Sequence, residues 1–171
     1  MDVLGVDLGL TATGVCDADG ASVISVKGAG IERVSIIAER VLTFARPCGV
    51  VVLEHHMHFK GAAVFVVEVH GVLKYLLHLE GIPVALVQPA LLKKFATGKG
   101  NAPKGLMLQQ AISRHGFEGY DDNAVDAFWL RLMGVAYVEH SRSGRELPGY
   151  QLEAMAKVSW PSMREEVGTP A

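Results

Sequence analysis

Four acidic side chains stand in three separated segments of this sequence where acids are costly. Asp7 lies within the apolar run 2–8 (DVLGVDL), Glu54 ends the run 49–54 (GVVVLE), and Asp122 and Asp126 fall within 121–130 (DDNAVDAFWL). A carboxylate set among apolar neighbours is unfavourable unless its charge meets a partner. Asp122 and Asp126 are four residues apart, so one face of a helix presents both. Oxygen donors of this kind suit hard divalent cations such as Mg²⁺. Two such ions about 3.5–4 Å apart can clamp the attacking and leaving oxygens of a phosphodiester. Each residue alone has a plainer reading: Asp7 as a strand-end cap, Glu54 as a rim residue, Asp121 or Asp122 as a helix N-cap. Taken together they favour metal-dependent hydrolysis.

The elements that must position these acids follow from the hydrophobic pattern. Residues 2–8 alternate in the strand manner. Strands at 12–18 and 21–27 follow, with Asp19-Gly20 between them predicting a two-residue hairpin turn. Ile31, Val34, Ala38, Val41, Leu42 and Ala45 fall at helical spacing within 31–46. The run 49–54 fits a strand buried on both faces. Val66, Val69, Leu73, Leu76 and Leu77 mark a helix ending at Gly81, with Pro83 as its stop signal. A fifth strand is expected at 83–88, a helix at 103–115 and another from 122 to about 138. The order β-β-β-α-β-α-β-α-α predicts an α/β fold, a mixed five-stranded sheet flanked by helices. If strands 2–8 and 49–54 are parallel neighbours, as the intervening helix favours, Asp7 and Glu54 emerge side by side at the carboxyl end of the sheet. Residues 1–140 are read as the folded domain, and 141–171 as a C-terminal extension, partly irregular or disordered.

The chain has 171 residues, half of them apolar, with 20% charged and 7% aromatic. That composition suits one domain with an aliphatic core. Cys16 and Cys48 are too few for a disulfide framework and lack the C-x-x-C spacing. No signal sequence is evident, and no apolar run approaches the roughly 20 residues of a membrane span. The expected location is a reducing cytoplasm. A net charge of −2 and a pI near 6.4 argue against a general nucleic-acid binder. The average conceals a local bias, because Lys93, Lys94, Lys99, Lys104 and Arg114 occur without an intervening acid. A basic strip beside an acidic site suits DNA held at a carboxylate–metal centre.

The order of these motifs resembles the RuvC-type Holliday junction resolvases. The resemblance is carried by D-L-G-x-T-x-T-G at 7–14, the strand ending in Glu54, the Gly-Lys loop at 98–104 and D-N-A-V-D-A at 122–127, and it covers residues 2 to about 138. It implies an RNase H-like (ribonuclease H-like/integrase) fold, a homodimer acting on four-way or branched DNA, and a Mg²⁺ or Mn²⁺ cofactor. It also implies a bacterial host cell, with a short diverged chain pointing to a phage-encoded member. Asp7, Glu54 and Asp126 match the family's acidic ligands. Lys104 matches a basic residue that contacts DNA near the site, with Lys94 and Lys99 placed where others do so. Asn123 stands where the family often has a second acid or a histidine. Met57 stands where cellular members often carry an intruding aromatic, with Phe59 close by, so these two are the candidates for touching unstacked bases.

At about 100° per residue, Asp122 lies roughly 40° from Asp126 and Asn123 roughly 60° on the other side. Either could reach an ion held by Asp126, but a carboxylate is the stronger ligand, so Asp122 is expected to supply the charge missing at Asn123. The competing reading makes Asp122 the N-cap of the helix. The stretch E-H-H-M-H at 54–58 invites a zinc site, but no C-x-x-C or H-E-x-x-H accompanies it. The loop G-K-G-N-A-P-K lacks Walker spacing, although its backbone amides, with Asn101 as cap, could hold a DNA phosphate. Two rival functions share the opening motif or the fold: a nucleotide-binding ATPase or sugar-kinase-like protein, which usually needs two such lobes, and a non-catalytic junction-binding protein.

Overall fold

The computed structural model describes residues 1–9, 11–55 and 64–162. Strand β1 (Val3–Leu8) is central and fully buried, and Asp7 is the one charged residue within it. It pairs antiparallel with β2 (Thr13–Cys16), which pairs antiparallel with β3 (Ala21–Ile24). On its other side β1 runs parallel to β4 (Val50–Glu54), and β4 runs parallel to β5 (Val84–Val87). The order is β3-β2-β1-β4-β5. The expected mixed five-stranded sheet and the parallel β1–β4 pair are both present. The hairpin turn is centred one residue earlier than expected. Asp17 accepts the amides of Asp19 at 2.9 Å and Gly20 at 3.2 Å, so the tight turn forms around Ala18-Asp19 and the strands are shorter than 12–18 and 21–27.

Helices cover both faces of the sheet. On one face lie α1 (Gly30–Ala45) and α2 (Val64–Leu79), which bury Val34, Val41, Val69, Leu73 and Leu77 against Leu4, Val6 and Leu8 of β1. The other face carries α3 (Pro89–Thr97), α4 (Lys104–His115), α5 (Asp122–Ser143) and α6 (Gly149–Met155), packed on Val3, Val50, Val52, Ala85 and Val87.

Two helices were not anticipated. Helix α3 begins with Pro89 in its first turn and ends at Gly98 in the left-handed conformation, a start and stop signal that its short length had masked. Helix α6 packs Ala154 and Met155, followed by Val158, into the same core as α3 to α5. Helix α5 runs past 138 to Ser143, and Trp160 stacks on its Tyr137 with ring centroids 4.1 Å apart. Residues 141–162 are therefore helical in part and tied to the domain.

Glycine decides how closely α5 approaches the sheet. A Cβ on Gly5 would lie 2.0 Å from the Ala127 carbonyl oxygen, and one on Gly14 would lie 1.9 Å from that of Asn123. Any side chain at either position would push the backbone of α5 away from β1 and β2. Further along, the Trp129 indole donates to the Met107 carbonyl at 3.1 Å, which ties α5 to α4.

Candidate active site

Strand periodicity determines which face each acid takes. Asp7 is in phase with Val3 and Gly5, the residues of β1 that meet the α5 side, while Leu4, Val6 and Leu8 face α1 and α2. Glu54 is likewise in phase with Val50 and Val52. The register pairs Val6 with Leu53, so Asp7 and Glu54 leave the two parallel strands together. Asp126 comes from the second turn of α5, three residues before the anchored Trp129. Gly14, the partner of Asp7 in the antiparallel register, is the residue against which α5 presses. One contact thus sets the distance between helix and strand where both carry an acid.

The electrostatics follow from this crowding. Asp7 is only 7% exposed and shares a hydrogen bond with Glu54. Burial, then the Glu54 charge, pushes the Asp7 carboxyl up to about 8. Burial and the Asp126 charge push Glu54 up to about 7. Burial and the Asp7 charge do the same to Asp126, also to about 7. Three acids held in the protonated range near neutral pH form a site short of positive charge. Among the described residues no three His, Cys, Asp or Glu side chains form a ready-made cage for an ion. As a donor set of oxygens alone, the cluster fits a hard divalent cation and does not fit zinc's usual preference for nitrogen and sulfur.

Lys104, the first residue of α4, lowers the pKa of all three acids. Its own pKa is raised. Burial opposes that change, but the hydrogen bond and charge of Asp122, with Asp126 and Asp7 behind it, outweigh burial. Asp122 Oδ2 accepts from Lys104 Nζ at 3.1 Å. The N-cap of α5 is Asp121, whose carboxylate accepts the amides of Asn123 at 2.9 Å and Ala124 at 3.2 Å. The capping reading of Asp122 is thereby overturned. Asn123 Nδ2 also donates to Asp121, at 3.2 Å.

Lys93 was missed as a site residue. It is half-buried on α3, and its charge favours the ionised forms of both Glu54 and Asp126. Its neighbour Lys94, expected at the DNA, is hydrogen-bonded instead to Glu153 of α6. Only the helical phase of α3 separates the two lysines, and that helix was not anticipated. Lys99 is exposed in the turn between α3 and α4. Asn101 does not cap α4; Pro103 holds that position, without a side-chain hydrogen bond. His55 extends the β4–β5 ladder by donating its amide to the Val87 carbonyl at 2.8 Å. Met57 and Phe59, together with His56 and His58, lie outside the described residues.

No protein-family model and no curated protein matches the sequence. Solved structures do match. Thermus thermophilus RuvC is similar over 84% of this chain and 97% of its own, at 22% identity and a TM-score of 0.67. The same protein in complex with Holliday junction substrate gives 23% identity over 82% of this chain and 96% of its own, with a TM-score of 0.70. The Fowlpox virus resolvase bound to substrate Holliday junction DNA covers 81% of this chain and 99% of its own, at 17% identity and a TM-score of 0.50. The chain therefore has the RNase H-like fold of these resolvases, a five-stranded mixed sheet between helical layers.

Proposed function

We propose that the chain is a structure-selective endonuclease that resolves Holliday junctions or related branched DNA by phosphodiester hydrolysis. The convergence of Asp7, Glu54 and Asp126 on one end of the sheet carries this reading, because burial and mutual repulsion raise their proton affinity and a cation would relieve both. The likeness to two resolvases solved with junction DNA supports the substrate class.

Asp7, Glu54 and Asp126 would hold Mg²⁺, with Mn²⁺ as a substitute. A bound divalent cation supplies activation of an attacking water and stabilisation of the departing 3′ oxygen. The chain's own residues do the rest. The buried strand ends keep Asp7 and Glu54 in place and exclude bulk water from their inner side. Lys93 and Lys104 set positive charge at the edge of the cluster, where a backbone phosphate can be drawn in without reading bases. Lys99, exposed on the neighbouring turn, extends that surface.

Helix α2 is the proposed face of a homodimer, since two opposed nicks in a two-fold substrate are met most simply by a C₂ pair. Of Phe65, Val67 and Val72, the residues that would extend its apolar stripe by helical spacing, only Val67 is exposed. Phe65 turns inward, with the Arg33 guanidinium 4.5 Å from its ring centre, and Val72 packs against the core. Val64, Val67, Tyr75 and Leu79 are the residues left facing out.

The deciding experiment is cleavage of a labelled immobile four-way junction beside a linear duplex, in Mg²⁺ or in EDTA. Junction-selective cutting in Mg²⁺ alone is expected. Glu54→Gln should abolish most cutting and leave junction binding intact or stronger. Cutting by Glu54→Gln at the wild-type rate would show the site to be misassigned.

A further inference from the structure

Asp122 does not cap α5, because Asp121 holds that position. Its carboxylate reaches across to the first residue of α4 and accepts from Lys104 Nζ at 3.1 Å. Both side chains are largely exposed, Asp122 by 52% and Lys104 by 61%. An exposed ion pair adds little to stability, so the consequence of this contact lies in where it puts the ammonium group. A lysine at a helix start, on a flexible four-carbon stem, has many rotamers open to it. Tied to Asp122, its charge stands within reach of Asp7, Glu54 and Asp126 together. The partner sits four residues before Asp126 on the same helix, so helix α5 carries both a member of the acidic cluster and the tether for its counter-charge.

We propose that Asp122 is a positioning residue, which holds the Lys104 ammonium beside the Asp7–Glu54–Asp126 cluster to meet the substrate phosphate, and that it is not a metal ligand. This rests on the nuclease reading given above. It replaces the expectation that Asp122 makes up for Asn123 as a ligand. The charge Asp122 contributes is committed to lysine, and the effect on the reaction passes through that lysine.

The test is a double-mutant cycle read by junction cleavage and junction binding across a Mg²⁺ titration. Asp122→Asn should lower kcat roughly tenfold, since small misplacement of a positioning group is costly to rate. Junction Kd should stay the same or tighten, and the Mg²⁺ giving half-maximal cleavage should move less than about twofold. Asp122→Glu, which can still reach the lysine, should restore most of the rate. In a Lys104→Ala background, Asp122→Asn should cost nothing further, because the group it acts through is gone. A Mg²⁺ requirement raised by an order of magnitude, with kcat recovered at saturating Mg²⁺, would make Asp122 a ligand and overturn the proposal. So would an unchanged kcat, or an equal loss in the Lys104→Ala background. A wild-type chain that cuts no branched DNA overturns the nuclease reading and this inference with it; an active wild type with additive variants overturns this inference alone.

Discussion

Replacing Asp7 by asparagine should stabilise the metal-free protein at pH 8 while removing its activity. The folded chain holds the Asp7 carboxyl at about 8, against 3.8 for an ordinary aspartate. Because the folded value lies above the unfolded one, the folded state binds the proton more tightly. Its stabilising effect is complete below about pH 4 and is lost as pH rises from there to about 8. At about 1.4 kcal/mol per tenfold change in acidity, the loss approaches roughly 5 kcal/mol at pH 8. Asparagine keeps the shape without the charge. It still carries the cost of burying an amide, about 1–3 kcal/mol, so a net gain on the order of 3 kcal/mol remains. For a domain of this size that is a rise in Tm of roughly 6–12 °C. Thermal melts in EDTA between pH 4 and pH 8 should show the wild-type Tm falling with pH more steeply than that of Asp7→Asn, which keeps the raised carboxyls of Glu54 and Asp126, so that the two curves cross between pH 4 and pH 8. Mg²⁺ should raise the wild-type Tm at pH 8 by mass action on the folded state and leave the variant nearly unmoved. An Asp7→Asn protein that melts below the wild type at pH 8, or that keeps the same pH slope and Mg²⁺ response, would refute the charge-crowding argument.

Four further substitutions test the parts around that acid. Gly14→Ala places a Cβ 1.9 Å from the Asn123 carbonyl, and overpacking of this kind costs about 1–3 kcal/mol; Tm should fall by several degrees and cleavage should fall with it, whereas an unchanged Tm would mean that α5 yields freely. Lys93→Ala should reduce cleavage at least tenfold, while Lys94→Ala should leave the rate within about twofold and lower Tm slightly by freeing α6, since Lys94 bonds Glu153; equal effects on rate would erase the distinction between these neighbours. Lys104→Ala should flatten the salt dependence of junction binding by about one phosphate contact, a change of roughly 0.9 in the slope of log affinity against log salt; an unchanged slope would place Lys104 away from DNA.

The frame of the site was legible because two periodicities fix it. Alternation along 2–8, the nearly all-apolar run 49–54 and the helix between them favoured β1 and β4 as parallel neighbours, and the register then brings Asp7 beside Glu54. The phase of helix 122–138 placed Asp126 in an apolar setting, as found on α5. Local choices that turn on a single residue were less legible. Asp19-Gly20 carries the stronger hairpin signal, yet Asp17 captures two backbone amides and moves the turn. Three candidates, Asp121, Asp122 and Asn101, competed for helix caps, and propensity alone does not rank adjacent Asp residues. The nine-residue helix α3 was hidden because the residues it buries, Leu92, Phe95 and Ala96, give too few repeats for a periodic signature in so short a window. With α3 unseen, Lys93 and Lys94 had no phase to tell them apart.

Gly5 and Gly14 carried a meaning that the opening motif alone could not reveal. Each leaves room for the α5 backbone, and neither has a positive φ. Their use is therefore close approach and not turn geometry, and the partner in that approach is more than a hundred residues away in sequence. The same approach that lets α5 press on the sheet brings Asp126 toward Asp7 and Glu54, and so creates the charge crowding that raises all three proton affinities. A chain selected for stability alone would gain by separating these acids or replacing one of them. Close packing in which the glycines admit the helix and the helix delivers a further acid supports the proposal that a cation enters there. Local rules broken together at one point in a well-packed domain mark a functional site, and here the breach is a deficit of positive charge that Lys93 and Lys104 reduce without cancelling.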